Sequence, residues 1–352
     1  MKQPFWDEVS SRISQGENAF IYGGTFMADH ERLFIKGMTY GWGASRGQYR
    51  QDYALESMQK LRGTGSEWIA LAFWTWQESV HSTEIPFDYG YTVTDRDIMA
   101  AVDNAKSLGL KVCLKPVVNS KDGIWRAHIG FPEEESSQQN YWEKWFTSYT
   151  NFLCHYAELA EELDCEMFCI GCEMIKTERQ TRRWRELIQK VRAIYHGPLI
   201  YNANHGSEEG IEWFDDVDII GTSAYYPVGS VPGDSEENMI EKWLAVKEKM
   251  ERLYEKFHKP IVFMEIGCRS ALGCATMPWD FTHRDLPMSE DEQANFYSSV
   301  LKVFWDVDWF SGFFWWDWST KLYPLEEAAS NRGFDIYGKK AEAVLKDFYI
   351  DR

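Results

Sequence analysis

The sequence predicts a (β/α)8 barrel of the TIM type, on three observations. Short apolar runs of strand length recur eight times along 352 residues, and segments of helical periodicity lie between them. No glycine-rich dinucleotide turn follows the first run, which counts against an open doubly wound sheet. Two of the runs end on a glutamate, Phe168-Cys-Ile-Gly-Cys-Glu173 and Ile261-Val-Phe-Met-Glu265. A carboxylate directly after a buried strand is costly unless the strand ends form a functional rim.

In chain order the expected strands are Phe34–Gly43, Trp68–Trp76, Lys111–Val118, Glu166–Cys172, Pro198–Ala203, Asp218–Tyr225, Pro260–Glu265 and Trp309–Trp318. The helices between them carry apolar stripes of period 3.6. The third is striped by Trp142, Trp145, Phe146, Tyr149, Phe152, Leu153 and Tyr156, and the fourth by Trp184, Leu187, Ile188, Val191 and Ile194. Met239, Trp243, Val246, Met250, Leu253 and Phe257 stripe the sixth. No linker or low-complexity stretch interrupts the series, so residues 1–352 read as a single catalytic domain. Residues 1–33 form an N-terminal extension in which Phe5, Trp6, Val9 and Ile13 suggest a short helix over the lower face of the barrel. Long loops, Asn119–Gly130, Pro227–Asn238, Cys268–Leu286 and Ser319–Gly333, all fall on the C-terminal face, where barrels build their sites.

Composition narrows the function. A net charge of −18 repels phosphate backbones and anionic lipid, so neither nucleic acid nor a membrane is expected as a partner. The seven cysteines, Cys113, Cys154, Cys165, Cys169, Cys172, Cys268 and Cys274, are odd in number and scattered, which reads as free thiols in a reducing compartment. With no apolar leader after Met1, a cytoplasmic location is expected. Aromatic residues make up 16% of the chain, more than packing alone requires, and flat apolar rings suit the C–H faces of pyranoses.

Two strand-end carboxylates 92 residues apart, on strands four and seven of a barrel, fit the pair that retaining glycosidases set about 5–5.5 Å apart. Glu265 has Tyr225 and Tyr226 as expected neighbours, and a tyrosine hydroxyl donating to a carboxylate keeps it ionised, as a nucleophile requires. Glu173 ends a more apolar strand, where desolvation and repulsion from Glu265 would raise its pKa and suit an acid/base.

At this point the chain resembles glycoside hydrolase family 113, a clan A family of β-1,4-mannanases. The matching segments run in order from Lys36-Gly37 through Leu114-Lys-Pro116, Asp122-Gly-Ile-Trp-Arg126, Ile170-Gly-Cys-Glu173 and Trp184-Arg-Glu-Leu-Ile188. They continue with Ala224-Tyr-Tyr-Pro227, Lys259-Pro, Glu265-Ile-Gly-Cys-Arg-Ser270, Gly312-Phe-Phe-Trp-Trp-Asp-Trp318 and Tyr337-Gly-Lys-Lys-Ala-Glu342. The resemblance implies a (β/α)8 barrel, retention of configuration, and acid/base and nucleophile glutamates that fall on Glu173 and Glu265. It implies β-mannan or mannooligosaccharide as substrate and no cofactor; the expected cytoplasmic location favours imported mannooligosaccharides, with short-chain cleavage and transglycosylation. Two positions depart from the clan. Cys172 replaces the asparagine that usually precedes the acid/base and holds the sugar 2-hydroxyl, and Ser223-Ala-Tyr225 lacks the usual histidine.

Asn202 or Asn204, at the end of strand five, can supply the missing 2-hydroxyl contact. Trp316 and Trp318 share strand parity, so one is expected as the platform under the sugar, against core packing for both. Trp74 and Trp76 end strand two and can line the cleft. Trp125 and Arg126 sit in a loop, with Asp122 placed to hold Arg126. Lys115, inside an apolar strand, needs a sugar hydroxyl or a carboxylate as partner, and His205 either contacts sugar or caps its loop. A zinc site at Cys165, Cys169 and Cys172 is not expected, because Cys169 and Cys172 should point to opposite faces and four ligands are lacking. Two other functions remain open at the sequence: a β-glycosidase of the same clan for gluco-, xylo- or amino sugars, and a sugar-binding barrel without catalysis. Nothing in the sequence specifies an oligomeric state.

Overall fold

Parallel strands covered on both faces by protein are apolar almost throughout, and eight such strands here form a closed ring. A computed structural model describes residues 34–90, 92–132 and 140–352. The strands are β1 Ile35–Tyr40, β2 Trp68–Gln77, β3 Lys111–Ser120, β4 Met167–Cys172, β5 Leu199–Asn204, β6 Ile219–Ser223, β7 Ile261–Ile266 and β8 Phe310–Trp318. Each pairs in parallel with the next, and β8 pairs with β1 to close the barrel. All eight expected strands are present. β1 is shorter than expected because Gly41 and Gly43 take positive φ, +78° and +81°, and turn the chain away. The expected extension 1–33, with Phe5, Trp6, Val9 and Ile13, lies outside the described residues.

The helices are α1 Asp52–Arg62, α2 Asp95–Ser107, α3 Tyr141–Glu162, the single turn α4 Ile175–Glu178, α5 Thr181–Arg192, α6 Glu236–Phe257, α7 Glu290–Phe304 and α8 Lys340–Tyr349. Side-chain oxygens of Ser235 and Ser289 accept the free amides of Asn238 and Glu292 at the starts of α6 and α7. The whole predicted stripe of α3 is buried, and so are Trp184, Leu187, Ile188 and Val191 of α5. Ile194 lies beyond the end of α5. Strict alternation fails once: β5 and β6 are joined by two short 3-10 turns, Glu208–Gly210 and Phe214–Asp216, without an α-helix. Trp213 fills the gap, fully buried and stacked on Trp184 with ring centroids 4.6 Å apart. Among the described residues no helix is long and apolar enough to cross a membrane.

Two apolar layers result. One fills the barrel with Ile35, Trp68, Cys113, Met167, Ile200, Val262 and Phe314. The other lies between the strands and the helices and takes in the aromatic stripes. The inner layer leaves no room at Gly37, where a Cβ would lie 2.5 Å from a ring carbon of Phe314 and 2.7 Å from the Phe313 carbonyl oxygen. Gly37→Ala is therefore expected to destabilise the barrel by about 1–3 kcal/mol, read as a lowered thermal unfolding midpoint by calorimetry; an unchanged midpoint contradicts this packing.

Candidate active site

Apart from one shift at the start of β7, between Ile261 and Phe263, the pairing irregularities lie toward the C-terminal ends of the strands. Register shifts fall between Cys169 and Cys172 on β4, between Phe263 and Ile266 on β7, and between Met38 and Tyr40 where β1 meets β8. Such bulges re-aim side chains. They bring Lys115 of β3, Cys172 of β4, Glu173 just beyond it, Asn202 of β5, Tyr225 just beyond β6 and Glu265 of β7 into one mouth. Glu173 takes a left-handed backbone conformation, φ +52°, which costs a non-glycine residue about 1–2 kcal/mol.

Glu265 is 4% exposed and both its oxygens are held. Its Oε1 accepts from Lys115 Nζ at 2.5 Å, Asn202 Nδ2 at 3.0 Å and Cys172 Sγ at 3.3 Å. Its Oε2 accepts from the Tyr225 hydroxyl at 3.2 Å. Glu173 is 7% exposed, and its Oε2 accepts from Arg126 Nη2 at 2.8 Å and Trp125 Nε1 at 3.3 Å. Arg126 also donates to the Cys172 carbonyl at 3.1 Å and to Asn119 Oδ1 at 2.9 Å, and its Nη2 lies 3.5 Å from Cys172 Sγ. The two carboxyls are thus linked through one guanidinium and one thiol.

Electrostatics push the carboxyls apart. Burial raises the Glu265 carboxyl, but Lys115 and then Arg126 outweigh it and hold the group below its ordinary range. Burial also raises Glu173. Arg126 opposes this, the nearby Glu265 charge adds to it, and the group ends above its ordinary range. Burial works against the Lys115 ammonium, yet the Glu265 carboxylate directly against it more than compensates, so it stays charged. One carboxyl biased to keep its proton beside one biased to lose it is the division that acid and nucleophile require.

The family model for Glycoside Hydrolase Family 113 matches residues 38–339. The chain belongs to glycoside hydrolase family 113. Within that family it is similar to a β-mannanase from Alicyclobacillus acidocaldarius solved in complex with ManMIm, at 40% identity over 90% of this chain and 97% of that one, TM-score 0.83. It is similar also to a β-1,4-mannanase solved as a complex, at 36% identity over 91% of this chain and 99% of that one, TM-score 0.82. A Faecalibacterium prausnitzii β-glucuronidase, 14% identical with a TM-score of 0.59 over 91% of this chain and 49% of its own, shares the fold alone. No curated protein sequence matches the chain.

As a glycoside hydrolase the chain needs a sugar-binding cleft, and the mouth is rimmed by tryptophan. Trp42, Trp74 and Trp316 meet edge to face, Trp42 lying 4.7 Å from Trp74 and 5.2 Å from Trp316 between ring centroids. Trp76 meets Trp74 at 5.6 Å, and Trp125 is 42% exposed beside Glu173. Trp318 does not join them. It is fully buried, and its Nε1 donates to the Ser57 hydroxyl of α1 at 3.0 Å. The reason is the bulge: four residues of β8, Trp315 to Trp318, oppose three of β1, Met38 to Tyr40, so the parity shared by Trp316 and Trp318 is lost. The same effect overturns the expected divergence of Cys169 and Cys172. Cys169 lies in the inner layer and Cys172 faces Glu265.

Lys115 is fully buried and, of the two partners expected for it, takes the carboxylate, that of Glu265. Asp122 does not hold Arg126; it accepts from the amides of Val80 and Ile124 and so ties two rim loops together. Asn202 is buried against Glu265, whereas half-buried Asn204 donates to the His205 carbonyl. The His205 ring stacks on Trp279 at 5.5 Å. Ser223, marked in the sequence only for standing where the clan has a histidine, belongs to the mouth and donates to Asn202 at 3.3 Å. Trp42 and Asn119 also belong to the mouth and were not singled out from the sequence; of these Asn119 carried a signal, sharing strand parity with Lys115.

Two outcomes follow. Activity that depends on an ionised Glu265 falls as pH drops through its pKa, and Lys115→Met removes the group that holds this pKa down. The acid limb of kcat/KM against pH should therefore move to higher pH, and an unmoved limb contradicts the pairing. Trp318→Ala should cost about 3–5 kcal/mol of stability with KM of the folded enzyme unchanged, whereas Trp316→Ala should raise KM with little change in the unfolding midpoint.

Proposed function

We propose that this family 113 enzyme is a retaining endo-β-1,4-mannanase acting on β-mannan or mannooligosaccharides. The opposed protonation bias of the two glutamates supports the mechanism, and similarity to solved β-mannanases supports the substrate. In this reading Glu265 is the nucleophile. Oε1 is anchored by three donors while Oε2 has one, so Oε2 attacks the anomeric carbon as Glu173 gives its proton to the glycosidic oxygen and the C–O bond breaks. The aglycone leaves as an alcohol, and a glycosyl ester on Glu265 remains. Esterification removes the Glu265 charge, which lowers the pKa of Glu173 and fits it to act next as base. It takes a proton from water, the water oxygen attacks the anomeric carbon, and Glu265 departs as carboxylate with the configuration retained. A sugar hydroxyl in place of that water gives transglycosylation.

Asn202, Asn204, Trp125, Arg126, Trp74, Trp76, Trp316 and His205 are the substrate-facing residues of this reading, with Asn202 beside Cys172 serving the 2-hydroxyl. The barrel residues act as one catalytic domain. The seven free thiols suit a cytoplasmic setting, where short imported mannooligosaccharides are the substrate.

Product release from manno-, cello-, xylo- and chito-oligosaccharides and from galactomannan tests this, with Glu173→Ala and Glu265→Ala alongside and the first-formed anomer followed by NMR. Cleavage confined to mannosides, the β-anomer appearing first, and both variants falling to background are expected. Preference for another sugar overturns the substrate, the α-anomer first overturns retention, and an active Glu265→Ala overturns the nucleophile. Rapid cleavage of galactomannan with mannotriose to mannohexaose left intact overturns the short-chain assignment.

A further inference from the structure

The left-handed conformation of Glu173 has to be held from outside, because a non-glycine residue keeps it only when the peptides on both sides are fixed. Strand β5 fixes both. The Glu173 N–H donates to the Asn202 carbonyl at 2.8 Å, and the next N–H, that of Met174, donates to the Tyr201 hydroxyl at 3.1 Å. Tyr201 is fully buried behind the barrel wall. Its ring meets Trp184 at 5.2 Å and Trp213 at 4.8 Å, both edge-on. It also lies over Gly171, where a Cβ would come within 2.8 Å of it. The glycine two residues before Glu173 is therefore the space that Tyr201 occupies.

The Tyr201 hydroxyl is itself directed. It donates at 2.8 Å to Glu178 Oε1, a carboxyl 6% exposed at the end of α4, which the Ser207 hydroxyl also approaches at 3.4 Å. α4 is pinned in turn: Trp184 Nε1 donates to the Thr177 carbonyl at 3.0 Å and Trp213 Nε1 to the Glu178 carbonyl at 2.9 Å. No step of the proposed reaction uses Tyr201 or Glu178.

We propose that Tyr201, oriented by Glu178, is a positioning residue that holds the Glu173 carboxyl in line with the glycosidic oxygen by clamping the Met174 amide. The inference rests on the reading of Glu173 as the acid. Without the Tyr201 hydroxyl the buried Met174 amide loses its acceptor. The turn then relaxes toward ordinary φ and swings the Glu173 Cβ, and the carboxyl with it, off the leaving oxygen.

Two substrates separate this from a purely structural role. Mannotetraose has a sugar leaving group that must be protonated, whereas 2,4-dinitrophenyl β-mannobioside releases a phenolate that needs no acid. Tyr201→Phe is expected to lower kcat/KM on mannotetraose about tenfold while leaving the dinitrophenyl substrate within about twofold. Glu178→Leu should reproduce that pattern, and Glu178→Gln, which still offers an acceptor to the hydroxyl, should stay close to wild type on both. The comparison is a ratio on one preparation, so any loss of folded protein cancels. Tyr201→Phe slowing both substrates equally, or neither, overturns the inference. Glu173→Ala run in parallel keeps the two readings apart. If it shows the leaving-group dependence and Tyr201→Phe does not, the clamp alone fails; if it slows both substrates equally, the reading of Glu173 as the acid fails and the clamp falls with it.

Discussion

A fully buried ammonium decides how the mouth of this barrel is charged. Two carboxyl groups sit in one desolvated space, where two negative charges are costly together. Lys115 lies against Glu265 and holds it ionised. That charge, with burial, keeps Glu173 toward its protonated form against the pull of Arg126. Cys172 sits between the partners, and burial pushes its thiol up, so it stays neutral and adds no third negative charge. The asymmetry between the glutamates is thus a property of the whole ring of β3, β4, β5 and β7 and belongs to neither residue alone.

The geometry that makes this possible comes from small departures from regularity. A perfect parallel barrel alternates its side chains inward and outward, and Met264 and Glu265 could not both turn toward the axis. The shift on β7 allows both, the one on β4 turns Cys169 and Cys172 the same way, and the one on β8 sends Trp316 into the cleft and Trp318 into the helix layer. The slips at the upper rim carry the chemistry.

Much of this was legible in the sequence, for identifiable reasons. Strands buried on both faces leave apolar runs that stand out, and a glutamate closing such a run is conspicuous, so eight strands and both carboxyls could be read directly. The aromatic stripe of α3 reads as a helix because its period is unambiguous. What escaped depends on contacts that no local pattern encodes. The partner of Lys115 is distant in the chain. The bulge that separates Trp316 from Trp318 leaves no compositional trace, and Trp42 lies between Gly41 and Gly43, whose positive φ values end strand parity. The missing helix between β5 and β6 was masked by the rule of alternation, although residues 205–218 are too few for a helix with its turns, and Trp213 covers the wall in its place.

The separation of Lys115 from Glu265 also bears on how the protein is made. The two lie 150 positions apart, and the ring closes only when β8, near the end of the chain, reaches β1. At about 5–20 residues per second on the ribosome, β3 emerges roughly 8–30 s before the counter-ion of its lysine exists. Throughout that interval an apolar strand carrying a bare cation has no interior to enter. The early half of the barrel must stay open and hydrated around Lys115 until the later half arrives, so the charge that organises the finished site also delays its own burial.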